Sequence, residues 1–545
     1  MPANFNELTR VQIPALLHLE QLGYTFVRHT DLHPDLDSNI LTDVFKASLM
    51  RLNPAMTDIE IDAKLQELVR DADNDDLGRE FYRKLTAVSG IRLVDFDNPE
   101  NNTWHCTIEM ECTNQNTQNH FRPDITCFVN GLPLIHIEVK KPQNREGMLA
   151  ERERMHNRMR QRDFRRFLNI AQLMVFSNNE EYDTDSRVPI QGAFYASMSK
   201  GKMFFNTFRE PSQSYYDSLS LADISEQRER EILHQVGKSV LISLPEYQSN
   251  KSPLTPTNRV LSSILAKERL LFFLKYGFAY VERTSKNDNG ETITTLEKHV
   301  MRYPQLFASK AICRNLNNGI NSGTIWHTQG SGKTALSYFA VKVLTDFFAK
   351  RDTVARFYFI VDRISLMEQA MSEFASRGLV VFSAQSRKEL MDDFRSNRTM
   401  RGADGKPEIT VVNIQKFEEQ HDKLEVPYGT NIQRIFFVDE AHRGYNPQGS
   451  FLANLMNADT NAVRIALTGT PLLKEERETI GLKEVTMDEY GYVMGTLPAT
   501  KGCENAPVIG FISHVDTAPD MSGANIKPHV VENYDGRDIL LGGDV

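Results

Sequence analysis

The sequence predicts an α/β protein in three parts: a mixed helix-and-hairpin region, a doubly wound parallel sheet, and a short tail of different character. Three observations predict it. Apolar residues near the N-terminus recur at three- and four-residue spacing (Ile13, Leu16, Leu17, Leu19), a helical period. From about 104 to 140 the chain turns to short strand-like runs, and from 145 to 170 it returns to a charged helical pattern. From about 300 to 470 short apolar runs alternate with amphipathic helices, as βαβ units on a parallel sheet do.

At 545 residues the chain exceeds one core, and roughly 100–200 residues per domain gives three or four. The expected domains are 1–246, 259–473 and 474–545, with a linker at 247–258 (YQSNKSPLTPTN), rich in Ser, Pro, Asn and Thr. The balance of 40% hydrophobic and 25% charged residues is that of a globular protein and excludes disorder, collagen and coiled coil. No apolar run approaches the roughly 20 residues that span a bilayer. The N-terminus has no basic segment leading into an apolar stretch, so a cytoplasmic protein with no membrane partner is expected. Five cysteines without a CxxC pair exclude a disulfide scaffold and a zinc ribbon. No repeat of 20–50 residues is visible. A net charge of −9 argues against coating of DNA by charge alone but leaves room for a local basic groove.

The segment 121–142 reads FRPDITCFVNGLPLIHIEVKKP, two apolar runs around Asn130-Gly131, a hairpin signal. Glu138 and Lys140 share one strand face. A strict two-residue turn puts Asp124 opposite Ile137. A three-residue loop with Gly131 left-handed puts it opposite His136, diagonal to Glu138 and within about 7–8 Å. On that face Asp124 and Glu138 suit one Mg²⁺ with waters and a phosphate oxygen. Lys140 would orient the water or offset developing charge. A solvated strand face is the plain alternative. The next helix, 151–166 (ERERMHNRMRQRDFRR), carries seven Arg against three acids. Arg158, Arg162 and Arg165 are candidates for DNA phosphate contacts, weighed evenly against i,i+4 pairing within the helix.

TIWHTQGSGKT, residues 324–334, is a phosphate-binding loop. Gly330, Ser331 and Gly332 let backbone amides wrap phosphates, Lys333 reaches the β and γ oxygens, and the Thr334 hydroxyl binds the Mg²⁺ of ATP. His327 stands where the strict pattern wants glycine. Further on, RIFFVDEAHRG ends an apolar strand in Asp439, Glu440, Ala441 and His442. Acids at a strand's carboxyl end sit where doubly wound sheets bind ligands. Asp439 suits Mg²⁺, and Glu440 suits activation of the hydrolytic water.

These motifs in this order resemble a PD-(D/E)xK nuclease joined to a RecA-like superfamily 2 helicase lobe, as in the restriction (R, HsdR) subunit of type I restriction-modification enzymes. The resemblance rests on HFRPDITCFVNGLPLIHIEVKKP, KHVMRYPQLFASKA, HTQGSGKTAL, FFVDEAHR and ALTGTPL, over roughly 1–473. It implies an ATP-dependent type I site-specific deoxyribonuclease that translocates and cuts double-stranded DNA with modification and specificity subunits. It also implies adenine reading by Gln305, a motif Ia at 359–363, ATP-site membership for His442, and a coupling motif at Thr468, Gly469 and Thr470. The family's Q-x-x-x-Y motif is not matched: Gln161 is followed by Arg165, and Gln172 by Phe176.

The tail contains GFISHVDTAPD, which resembles the start of peptidase T, a zinc tripeptide aminopeptidase of the M20 family. That resemblance would make His514 a zinc ligand and Asp516 the acid that orients it. The expected switch lies near Leu472-Leu473, with no second helicase lobe, so a truncated, motor-deficient R subunit is expected. The alternatives are a peptidase-related fusion and an inert docking module for the methylase-specificity core.

Overall fold

The helical spacing at the N-terminus forms α1 (Ile13–Gln21), entered from a helical turn over Leu8–Gln12, and Ile13, Leu16, Leu17 and Leu19 are all buried. α2 (Asp58–Asp71) starts on a capping box, Thr57 accepting from the Glu60 amide while Glu60 reaches back to the Thr57 amide. The computed structural model describes residues 6–113, 120–142, 144, 146–182, 190–199, 201–286, 291–327, 330, 332–384, 389–390, 392–393, 406–413, 431–439, 459 and 461–469, and the backbone of 483–487 and 493–496.

Nine strands form the first sheet: β1 (Thr25–Phe26), β2 (Trp104–Ile108), β3 (Ile125–Val129), β4 (Leu132–Val139), β5 (Leu173–Ser177), β6 (Ala193–Ser199), β7 (Lys202–Thr207), β8 (Phe278–Lys286) and β9 (Thr292–Val300). Their order is β1-β2-β3-β4-β5-β6-β9-β8, with β7 also paired to β6. β4 lies inside and is buried at all eight positions. Ile135, Ile137 and Val139 face one apolar cluster. Pleating turns His136 and Glu138 to the other side, toward the cluster that holds Phe121, Phe128 and Phe176.

The β3–β4 register follows neither expected alternative. Asn130 and Gly131 both have positive φ (52° and 79°), so the turn has two residues. The pairing then shifts between Cys127 and Val129, and Ile125 lies across from Ile137. Asp124, next along, therefore continues toward Glu138. Pro133 explains the shift, since it has no amide hydrogen for the ladder and two residues of β4 oppose one of β3 there.

Residues 247–258 are not a linker. Pro245 opens α4 (Pro245–Asn250) and Pro256 opens α5 (Pro256–Leu265), with the Thr255 side chain accepting from the Asn258 amide. Tyr247 is buried and donates its hydroxyl to Glu229. The Ser, Thr and Pro that read as a linker are helix caps. α6 (Lys267–Tyr276) follows, and the hairpin β8–β9 joins the N-terminal sheet through Lys298 opposite Met198, so 259–300 packs with the first sheet. The charged helix is α3 (Gly147–Met159), shorter than expected, with separate short turns from Arg162 to Ile170.

The second sheet is parallel and six-stranded: β10 (Ser322–Trp326), β11 (Val354–Val361), β12 (Val380–Ala384), β13 (Glu408–Asn413), β14 (Ile432–Asp439) and β15 (Val463–Thr468), in the order β10-β15-β14-β11-β13-β12. α7 (Tyr303–Asn317) precedes it, while α8 (Lys333–Ala349) and α9 (Ile364–Ser376) follow β10 and β11. Arg283 on β8 makes a two-pronged ion pair with Glu373 on α9, at 2.6 and 3.0 Å. The chain divides into two compact units, Met1–Pro471 and Leu472–Val545, and in the second the described backbone is one antiparallel pair, β16 (Lys483–Met487) with β17 (Val493–Thr496).

Candidate active sites

The first site lies at the carboxyl end of β4. Asp124 Oδ2 accepts the Val139 amide hydrogen at 2.7 Å, and Asp124 Oδ1 accepts from Gln12 Nε2 at 2.7 Å. The Lys140 ammonium stands 3.5 Å from Asp124, 3.4 Å from Glu138, 3.4 Å from Glu7 and 3.7 Å from Glu151. The three residues read from the hairpin thus converge, and the helical N-terminus and α3 close over them. Glu138 is 4% exposed and Lys140 7%, so this is no solvated strand face.

Charge decides what the cluster can do. Burial, then the nearby Asp124 and Glu151 carboxylates, push the Glu138 carboxyl well above its ordinary value. Burial also raises Glu7. Burial works against the Lys140 ammonium, but Asp124, Glu138, Glu7 and Glu151 outweigh it and raise that group. His136, fully buried at 3.4 Å from Glu138, is lowered to about 3 by burial and by Arg158 and Lys140, so it is neutral. Four carboxyls, Asp124, Glu138, Glu7 and Glu151, crowd one ammonium, and the raised Glu138 and Glu7 groups mark a crowding of acids that a divalent cation relieves. Among the described residues no closed set of three or more His, Cys, Asp or Glu ligands occurs. Two carboxylates plus waters and substrate oxygens is the way Mg²⁺ is ordinarily held.

The basic helix is mostly engaged within the chain. Arg158 bonds Glu151 at 3.1 Å and stacks 4.0 Å over the Phe121 ring. Arg165 pairs with Asp75 at 3.4 Å. Arg162, with its side chain 78% exposed, reaches Asp73 only at 3.9 Å and stays largely in solvent. Gln172 accepts from Lys298 at 3.1 Å, and Gln161 is exposed, so neither glutamine joins the site.

The second site lies at the carboxyl ends of the parallel strands. β10 runs into the loop, where Gly330 and Gly332 take positive φ (75° and 85°), and α8 starts at Lys333 and Thr334. A helix N-terminus preceded by left-handed glycines presents amides to an anion. Asp439 ends β14 opposite Leu467 of β15, and the Thr468 carbonyl accepts the His327 amide hydrogen at 3.1 Å. Gly469 accepts from Trp326 Nε1 at 3.0 Å. Gln305, expected at adenine, is buried and donates Nε2 to the Gly332 carbonyl at 3.0 Å, while Arg302 donates to the Gly330 carbonyl at 3.3 Å. Both hold the loop from α7. Ser331, Glu440, His442, Thr470, His514 and Asp516 lie outside the described residues.

Sequence reasoning missed Glu7, Gln12 and Glu151. Gln12 lies 112 positions from Asp124, and no short motif spans that gap. Glu151 carried a signal: it falls between Met148 and Met155 on the buried stripe of α3.

Residues 4–184 match the type I restriction enzyme R protein N terminus, and residues 304–496 match the SWI2/SNF2 ATPase. A putative type I restriction enzyme MjaIXP endonuclease subunit from Methanocaldococcus jannaschii is 25% identical over 515 residues, 88% of this chain and 44% of its own length. Peptidase T from a Geobacillus species is 57% identical over 70 residues, 13% of this chain and 17% of its own. Peptidase T from Listeria monocytogenes is 54% identical over 74 residues, 14% and 18% of the respective chains. The chain therefore spans less than half the length of these relatives. Among the described residues no helix is long and apolar enough to cross a membrane. With both sites placed on the two sheets, the chain is HsdR-like, an α/β protein joining a type I restriction R-protein N-terminal domain to a SWI2/SNF2-type ATPase domain.

Proposed function

We propose that the chain acts as the restriction subunit of a type I restriction-modification enzyme, a cytoplasmic ATP-dependent deoxyribonuclease working on double-stranded DNA with modification and specificity subunits. The observation that carries this is the convergence of Asp124 and Glu138 on Lys140, at 3.5 and 3.4 Å. Asp124 and Glu138 would hold Mg²⁺, with Glu7 facing them. Bound there, the ion supplies polarisation of the phosphodiester and a more acidic water. Gln12 and the Val139 amide fix the Asp124 carboxylate, and Lys140 orients the attacking water or offsets charge on the phosphate.

In the ATPase domain the amides at the start of α8 cradle phosphates, Lys333 meets the β and γ oxygens, and Thr334 with Asp439 would hold the nucleotide's Mg²⁺. Glu440 activates water and Thr468, Gly469 and Thr470 couple nucleotide state to DNA movement.

The test is cleavage of unmethylated plasmid DNA with Mg²⁺ by the purified chain, with and without partner subunits. Loss of cutting in both Asp124→Ala and Lys140→Ala, with folding retained, supports the reading. Unchanged cutting by both places the active site elsewhere.

A further inference from the structure

Glu151 is the odd member of its helix face. Met148 and Met155, on either side of it along the stripe, pack in the apolar cluster, and Glu151 is only 2% exposed. A third apolar residue would fill that position without desolvating a carboxylate, so a buried acid there needs charged partners. It has three. Glu151 Oε2 lies 2.6 Å from Arg154 and 3.7 Å from Lys140, and Oε1 lies 3.1 Å from Arg158.

We propose that Glu151 is a positioning residue of the nuclease centre, gathering Lys140, Arg154 and Arg158 into one cationic cluster that receives a DNA backbone phosphate beside the metal-binding carboxylates. The inference rests on the nuclease reading above.

The layout follows from charge. Asp124, Glu138 and Glu7 each reach Lys140 within 3.5 Å. Glu151 reaches the same ammonium at 3.7 Å and brings two guanidinium groups, so it is met by three cations. A divalent cation suits the carboxylates and a phosphate oxygen the cations around Glu151, the pairing of charges in a metal-bound phosphodiester. The two arginines differ in role. Arg158 is 22% exposed and sits with its Cζ 4.0 Å from the centre of the Phe121 ring, three residues before Asp124, so it braces the cluster. Arg154 is 55% exposed, and among the described residues its one ion-pair partner is Glu151. A guanidinium has five donors, which leaves Arg154 donors facing solvent for a phosphate.

The experiment measures binding of a fluorescent 20-base-pair duplex to the full chain in Ca²⁺, which supports binding without cutting, alongside Mg²⁺ binding by calorimetry. Glu151→Leu should weaken duplex binding about tenfold or more, from the loss of oriented phosphate contacts. Its unfolding temperature should not fall, since Leu suits the methionine stripe. Glu151→Gln, which still accepts hydrogen bonds, should restore part of the binding. Arg154→Gln changes an exposed head group, leaves the fold intact, and should weaken the duplex about threefold or more. Arg154→Gln, which leaves every carboxylate in place, should bind Mg²⁺ as the parent does. Parent-like duplex binding by Glu151→Leu overturns the proposal, and if that variant does not fold, parent-like binding by Arg154→Gln does so. Failure of the nuclease reading looks different: the parent then binds no Mg²⁺, and Asp124→Ala changes nothing.

Discussion

The Val139 amide donates to Asp124 Oδ2 at 2.7 Å, so the backbone between Glu138 and Lys140 itself fixes the third member of the proposed nuclease centre. The strand that carries the ExK pattern thereby sets the position of the acid from its neighbour. Replacing Asp124 by Asn should keep this bond, since an amide oxygen also accepts, and a turned Gln12 amide would accept from the new Nδ2 through its Oε1. It removes one of the acids crowding Glu138. Cutting should fall by about 100-fold or more, the scale of removing a group that acts in the transition state. The unfolding temperature should hold or rise, because functional sites carry unfavourable charge crowding. A clear drop in that temperature would show that Asp124 is there for the fold.

Lys140 should behave in the opposite way. Lys140→Met leaves Asp124, Glu138, Glu7 and Glu151 without their shared ammonium. Removing one partner of a buried ion pair is destabilising by about 3–5 kcal/mol. Urea unfolding should register a loss of that order together with lost cleavage. A variant as stable as the parent would mean the four acids are not held together by this lysine.

Gln12 separates support from chemistry. Gln12→Leu should leave Asp124 Oδ1 without its 2.7 Å donor, at about 1–3 kcal/mol for an unsatisfied buried group. Cleavage should drop about tenfold, while Mg²⁺ binding survives through the Val139 contact. Equal cleavage by variant and parent would remove Gln12 from the site.

Much of this was legible in the sequence where chemistry repeats at short range. Glu138 and Lys140 share a face because strands alternate, and Lys333 follows two glycines because the loop needs left-handed backbone. The Asp124 register was misread because one proline, Pro133, shifts a ladder that the turn alone does not set. The stretch 247–258 was misread because Ser, Thr and Pro serve helix caps as well as linkers, and only the burial of Tyr247 tells them apart. The place of β8–β9 in the first sheet depends on one strand finding another about a hundred residues away, which no local pattern encodes.

Gly332 tests the nucleotide site. Its φ is 85°, and a Cβ there would lie 2.7 Å from Gln305 Nε2. Gly332→Ala should cost about 1–2 kcal/mol in backbone strain and push Gln305 off the loop. Gly319 has φ 76° with nothing within 4 Å, so Gly319→Ala carries similar strain without touching the loop. A fluorescent ATP analogue should bind Gly319→Ala but not Gly332→Ala. Equal binding by both would mean the loop tolerates a side chain and Gln305 does not brace it.

Lys342 ties the ATPase helix to the nuclease sheet. Its ammonium donates to the Phe278 carbonyl at 3.0 Å, the Tyr82 hydroxyl at 3.2 Å and the Tyr276 carbonyl at 3.4 Å. Lys342→Met fills the space but leaves these acceptors bare, at about 1–3 kcal/mol for each buried group left without a donor. Hydrogen exchange should quicken in α6 and β8 and not in β3–β4. Unchanged exchange at α6 would show that the joint is held by apolar packing alone.

His18 predicts how the first unit responds to acid. It is fully buried on α1, with Nε2 2.7 Å from the Ser262 hydroxyl of α5 and Nδ1 3.3 Å from Gln21. Burial lowers it from 6.5 to about 4. The folded chain therefore holds the neutral ring at a pH where the unfolded chain already takes a proton. The sign follows: the contribution is complete above pH 6.5, and stability is lost as pH falls from there toward 4. The shift corresponds to about 3 kcal/mol across that window. His18→Gln has no proton to gain, so its unfolding temperature should decline less than the parent's between pH 7.5 and 5. Carboxylates elsewhere titrate in both proteins and cancel in the difference. Parallel declines would mean that the His18 ring takes up its proton in the fold as readily as in the unfolded chain.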